Sequence, residues 1–176
     1  MRKICCLIAL LLCLGACGGL PAPEAPETPP ALEYSEWEFD RECYWREALI
    51  DTYTEVEIDG IDIYKTTEGS VITAYYDGDE ALQIVKVNLY GETFRCELRY
   101  YLSAEFLSVV CEDIRYSTPY YWEEEETVEY VSLRKMLIKD GQLYYFVDRD
   151  EPLYMSDNQN YLDIYETAIQ ALEDDA

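Results

Sequence analysis

Apolar positions along the chain change rhythm twice. From Tyr34 they recur at helical spacing, with Trp37, Tyr44 and Ala48 on one line and Trp45, Leu49 and Tyr53 on another. Ser35-Glu36-Trp37-Glu38 has the Ser-x-x-Glu form of a capping box, in which hydroxyl and carboxylate each satisfy an orphan backbone N–H. The spacing therefore predicts a helix of about five turns ending near Thr54. Its apolar residues spread over more than one stripe, which predicts a helix partly enclosed across a sheet, with Trp37 and Trp45 in the core.

Between residues 56 and 148 the period is two. Runs at 71–76, 82–90, 94–102, 106–114, 128–138 and 143–147 are rich in β-branched and aromatic residues. Asp77-Gly78-Asp79, Gly91-Glu92, Ser103-Ala104-Glu105 and Asp140-Gly141 separate them with hairpin chemistry. Short connections make neighbours antiparallel, so about 6 strands form a meander. A weak repeat agrees: a shift of 25 residues lays Tyr75-Tyr76 on Tyr100-Tyr101 and Leu82 on Leu107, and residues 137–147 fit with one residue fewer in the turn. Residues 117–126, with Pro119, Trp122 and four consecutive Glu, are the one long interruption.

Ser156-Asp157-Asn158-Gln159 repeats the capping pattern, and Tyr161, Leu162, Tyr165, Ala168, Ile169 and Leu172 form one apolar stripe. That predicts a helix from about residue 157 to 172 closing over one face of the sheet. The expected class is α+β: an N-terminal helix, an antiparallel β-meander of about 6 strands and a C-terminal helix packed on the sheet, in one acidic domain spanning 34–176.

The first stretch reads as an address. Arg2 and Lys3 precede an apolar run of 11 residues, 4–14, too short for a bilayer core that needs about 20. The run ends in Leu14-Gly15-Ala16-Cys17, which resembles the lipobox of bacterial lipoproteins. The resemblance implies that residues 1–16 are a signal peptide and that Cys17 carries the lipid. The protein would then be held on the cell membrane, extracytoplasmically, by acyl chains such as palmitate. Gly18 after the lipidated Cys is similar to lipoproteins sent to an outer membrane, where the producer has one. Residues 17–33 form a tether, with five Pro in the thirteen residues from Gly18 to Pro30. At about 3.1 Å per residue it reaches on the order of 40 Å.

Charge narrows the partners. Against 37 Asp+Glu stand 13 Lys+Arg, a net charge of −24. That counts against nucleic acid, whose binding rests on cationic side chains, and suits a basic protein. The chain has no His, which removes His-based acid/base catalysis, Ser-His-Asp triads and most zinc or non-haem iron sites. No cofactor is implied.

Three Cys fall within the domain, Cys43, Cys96 and Cys111. A hairpin centred on Ser103-Ala104 sets Cys96 opposite Cys111, close enough for a disulfide, although a small change in the turn would move that register. The alternative is that both are small buried hydrophobes. Ser132-Leu133-Arg134-Lys135 and Ser156-Asp157-Asn158 copy two signatures of penicillin-recognising serine hydrolases. That chemistry needs Ser and Lys on successive helical turns, whereas 132–135 alternates like a strand and no Lys-Thr-Gly follows. No catalytic residue is assigned. Asp77/Asp79/Glu80 and Asp148/Asp150/Glu151 offer oxygen ligands without EF-hand spacing, so they read as adventitious cation contacts and no metal site is assigned. Tyr120, Tyr121 and Trp122, in the long interruption, are the candidate ligand contacts.

Residues 67–78, 90–93, 100–102 and 138–143 are similar to a group of uncharacterised, Tyr-rich hairpin domains in bacterial secreted proteins and lipoproteins. The resemblance implies fold and address only. Two functions follow. The favoured one is a non-catalytic binding domain at the cell envelope with a basic protein partner, for instance as an inhibitor of a basic secreted enzyme such as a lysozyme. The alternative is a small glycosidase-like envelope hydrolase using a pair of carboxylates.

Overall fold

The computed structural model of the chain describes residues 32–63, 66–119, 128–146, 153–155 and 159–175. Helix α1 (Glu36–Ala48) starts at the expected capping box: Glu38 N–H donates to Ser35 Oγ and the Glu38 carboxylate accepts from Ser35 N–H. A 3-10 turn at Ile50–Thr52 follows, so helical structure ends two residues before Thr54. Among the described residues eight strands come next: β1 (Thr54–Asp59), β2 (Ser70–Tyr76), β3 (Leu82–Gly91), β4 (Phe94–Leu102), β5 (Leu107–Tyr116), β6 (Val128–Lys139), β7 (Gln142–Phe146) and β8 (Leu153–Met155). They form one antiparallel sheet in sequence order, followed by α2 (Gln159–Asp175).

The expected six strands are β2 to β7. The two additions are the edges. β1 lacks a β-rich signature because Glu55, Glu57 and Asp59 occupy alternate positions, a charged edge of the kind that resists pairing with another chain. β8 is only three residues long. The capping pattern expected at 156–159 lies partly outside the described residues.

Alternation along each strand divides the core in two. Ile72, Ala74, Val85, Val87, Leu98, Tyr100, Val109, Cys111, Met136, Ile138 and Leu143 face one side, where Ile164, Ala168 and Leu172 of α2 pack. Residues of opposite parity, Tyr75, Ile84, Tyr101, Leu137, Tyr144 and Phe146, face the other side, where Phe39 and Cys43 of α1 pack. The sheet is therefore the middle of three layers, and each helix covers one face. The C-terminal helix packs on the sheet as expected, through a stripe that also includes Ile164.

Turns set the registers. Asp140 (φ 52°) and Gly141 (φ 72°) make the two-residue link from β6 to β7, both left-handed as a primed hairpin turn requires. The β2–β3 link is closed by Asp77, whose Oδ1 accepts from the N–H groups of Asp79 and Ala81, 3.0 Å each. Between β4 and β5 the loop is four residues, 103–106, with Leu102 paired to Leu107 and Ser103 Oγ accepting from Phe106 N–H at 3.1 Å. The 25-residue repeat keeps strand register, since Tyr75 pairs with Ile84 and Tyr100 with Val109. Its odd length nevertheless inverts the faces: Tyr75 packs under α1 and Tyr100 under α2.

Among the described residues no helix is long and apolar enough to cross a membrane.

Candidate functional site

Two places collect side chains that the core does not consume. The first is the outer face of α1. A helix on a sheet buries one stripe, and Phe39 (0% exposed) and Cys43 (8%) fill it, with the Phe39 ring 5.2 Å from that of Phe146. Lys135 on β6 fastens the helix from below through Glu36 and Asp40, each at 2.8 Å. Among the described residues the second apolar stripe has nothing to lie against. Trp37, Tyr44, Trp45 and Leu49 are 64%, 65%, 61% and 49% exposed, which corrects the expectation that Trp37 and Trp45 belong to the core.

This stripe is organised. The Arg41 guanidinium stacks 4.5 Å from the Trp37 ring, and Tyr44 meets Trp45 edge-on at 5.6 Å. Beside Trp45 a shallow hollow of about 440 Å³ is lined by Tyr34, Glu38, Arg41, Glu42 and Leu49. Exposed Glu33 and Asp51 flank the helix with negative charge.

The second place lies between the sheet and the first turn of α2. On that face, register sets two adjacent rows across the strands: Leu89, Cys96, Asp113 and Ser132, then Val87, Leu98, Cys111 and Arg134. Cys96 thus opposes Asp113, and Cys111 opposes Leu98. The expected pairing of Cys96 directly with Cys111 is off by one step on each strand, because the turn holds four residues instead of two. The thiols are diagonal neighbours on one face, both free, with their Sγ atoms 3.6 Å apart.

Arg134 Nη2 donates to Cys111 Sγ at 3.4 Å and lies 3.8 Å from Asp113, whose carboxylate also meets Arg115 at 3.2 Å. Hydrogen bonding from Cys96 and the adjacent guanidinium pull the Cys111 thiol below the ordinary range. Cys96 moves the opposite way, because its proton is held by Cys111 and burial disfavours its charge. These groups, with Phe94, Arg115, Asn160 and Tyr161, line a cavity of about 440 Å³. Cys43, on the other face, is a contrast: burial and then neighbouring Glu42 push its thiol up to about 12.

No family model, curated protein or solved structure matches the chain.

The remaining candidates are placed as follows. Cys17, the Tyr120-Tyr121-Trp122 segment and Asp148/Asp150/Glu151 lie outside the described residues. Asp77 spends its carboxylate on its own turn and on Gln83 Nε2 at 2.7 Å. Among the described residues no three Cys, Asp or Glu side chains converge as metal ligands. Ser132 and Lys135 point to opposite faces of β6, as the strand reading of that motif required. The groove between β1 and α2, about 600 Å³, contains Glu166, Asp174 and Asp175, all exposed.

Proposed function

We propose that the chain is a lipid-tethered envelope protein whose folded domain binds a basic protein through the outer face of α1. The exposure of Trp37, Tyr44, Trp45 and Leu49 on one side of a helix anchored by Phe39 and Cys43 carries this reading. Leaving three large aromatic rings in water forgoes roughly 1.5–3 kcal/mol each. Trp, Tyr and Arg are also the residues that dominate binding energy at protein interfaces. The flanking acids and the net charge of −24 select a cationic partner and speed its approach. A basic secreted enzyme held in check on the membrane is one such partner.

The hydrolase alternative has less to stand on. In the larger groove the carboxylates are solvated, and in the thiol cavity Asp113 is matched with Arg115. A raised, desolvated carboxyl acid is what that chemistry needs.

A photo-crosslinking residue at position 44, compared with one at position 173 on α2, tests the docking reading in the producing cells. A basic protein should be captured from position 44 and not from 173. Capture of the same protein from both positions, or of acidic proteins from 44, contradicts it.

A further inference from the structure

The thiol cavity is independent of the α1 face and asks for its own explanation. Two sulfurs in van der Waals contact have three obvious uses: packing, holding a soft metal ion, or exchanging with a disulfide. Packing alone does not account for a guanidinium on the Cys111 sulfur or a second one, Arg115, at the rim. A cation is disfavoured by the same guanidinium, 3.4 Å from one of the two sulfurs it would need. Exchange chemistry uses what is present, two adjacent sulfurs with a guanidinium on one of them, in a cavity of small-molecule size.

We propose that Cys96 and Cys111 form a thiol–disulfide exchange site for small anionic disulfides, with Cys96 the attacking sulfur and Cys111 the resolving one. Exposure assigns the roles. Cys111 is 0% exposed, whereas Cys96 is half-buried and open to the cavity. The reactive form is the pair that carries one proton between its two sulfurs, 3.6 Å apart, with Arg134 beside Cys111. The proton crosses to Cys111 as the Cys96 sulfur attacks the incoming disulfide RS–SR. That forms a mixed disulfide on Cys96 and releases RS⁻. The leaving thiolate takes the proton back from Cys111. The Cys111 thiolate, steadied by Arg134, then attacks Cys96 Sγ, expels the second RS⁻ and closes the Cys96–Cys111 bond. The disulfide is reduced to RSH and RS⁻, and the protein pair is oxidised by two electrons.

Diagonal neighbours stand farther apart than directly opposed ones, and a disulfide wants Cα atoms within about 7 Å. Closing the bond therefore pulls on the β4–β5 pair, which makes it readily reopened instead of a permanent staple. Arg115 and Arg134 outnumber the one carboxylate between them, Asp113, and with the first turn of α2 they supply the attraction for an anionic disulfide.

The test incubates the full chain with oxidised glutathione, which is anionic, or with cystamine, which is cationic, at about 0.15 M salt. Peptide mass spectrometry follows each Cys. The linked Cys96–Cys111 peptide should form at least tenfold faster than Cys43 reacts, and several-fold faster with glutathione disulfide than with cystamine. Cys111→Ser should stop at a glutathione adduct on Cys96, and Cys96→Ser should leave Cys111 unmodified; the corresponding Ala variants repeat both arms. The groups around the pair are Tyr100 on β4, Asp113 and Arg115 on β5, Arg134 on β6 and Tyr161 on α2. Of these, Arg134→Gln should move the rate–pH profile to higher pH and remove the anion preference, and Arg134→Lys should restore both in part. A first adduct on Cys111, reaction no faster than at Cys43, or a preference for cystamine overturns the proposal.

Discussion

Phe39 of α1 and Phe146 of β7 pack with ring centroids 5.2 Å apart, and their contact decides which side of the helix meets the sheet. Everything on the opposite side, Trp37, Tyr44, Trp45 and Leu49, is then left in water.

Stability should separate the two sides. Phe39→Ala removes a ring that is 0% exposed and should cost about 3–5 kcal/mol in denaturant unfolding. Trp45→Ala should stay within about 0.5 kcal/mol of the parent, as surface substitutions do. In a Trp122→Phe background, acrylamide should quench Trp37 and Trp45 freely. A large loss of stability from Trp45→Ala would place that ring in the core instead.

The wall of the thiol cavity depends on a glycine. A Cβ on Gly91 would collide with the Phe94 ring, directly across the β3–β4 turn. Gly91→Ala should therefore cost about 1–3 kcal/mol, and most of that should vanish in a Phe94→Ala background. Equal losses in both backgrounds would mean that the ring is not what the Cβ meets.

Alkaline stability should fail through tyrosines. Burial foremost raises the phenols of Tyr100, Tyr101 and Tyr161, with Tyr101 also donating to Glu47 at 2.7 Å. Burial, then Glu55, raises Tyr75 to about 12. A phenol raised above its unfolded value of about 10 gives its full contribution below that pH and loses it as pH climbs toward the folded value. Tyrosine absorbance should show the raised phenols ionising only as far-UV circular dichroism is lost. A single step near pH 10 with the fold intact would contradict this.

The proposed lipidation at Cys17 has its own check. Cys17→Ser should move the protein from the membrane fraction to the soluble fraction. Persistence in the membrane fraction would refute lipidation at that residue.

Sequence pattern conveyed the layers better than the edges or the site. Period two with Asp-Gly and Asp-led turns was enough to place β2 to β7, because alternation and turn chemistry reinforce each other there. β1 escaped because acids interrupt its apolar positions, and no residue in it is fully buried. Helical spacing revealed two lines on α1, Trp37/Tyr44/Ala48 and Trp45/Leu49/Tyr53, but not the stripe of Phe39 and Cys43 that the sheet takes. Trp37 and Trp45 are as apolar as Phe39, and only the partner surface distinguishes them. The Cys pair was visible as a hairpin relation, and Phe106 closing the loop shifted its register by one step on each strand. Arg134 was legible only as part of a serine-hydrolase look-alike, since its link to Cys111 arises from β5–β6 pairing across the long interruption.

The central claim is that α1 is the docking face, and affinity for the protein captured at position 44 tests it most directly. Kd should be measured for the parent and for a Trp37→Ala/Trp45→Ala variant, at low and high salt. We predict a loss of at least a hundredfold in the variant, about 2.7 kcal/mol, together with weaker binding by the parent at high salt. An unchanged Kd in a folded variant would contradict the account.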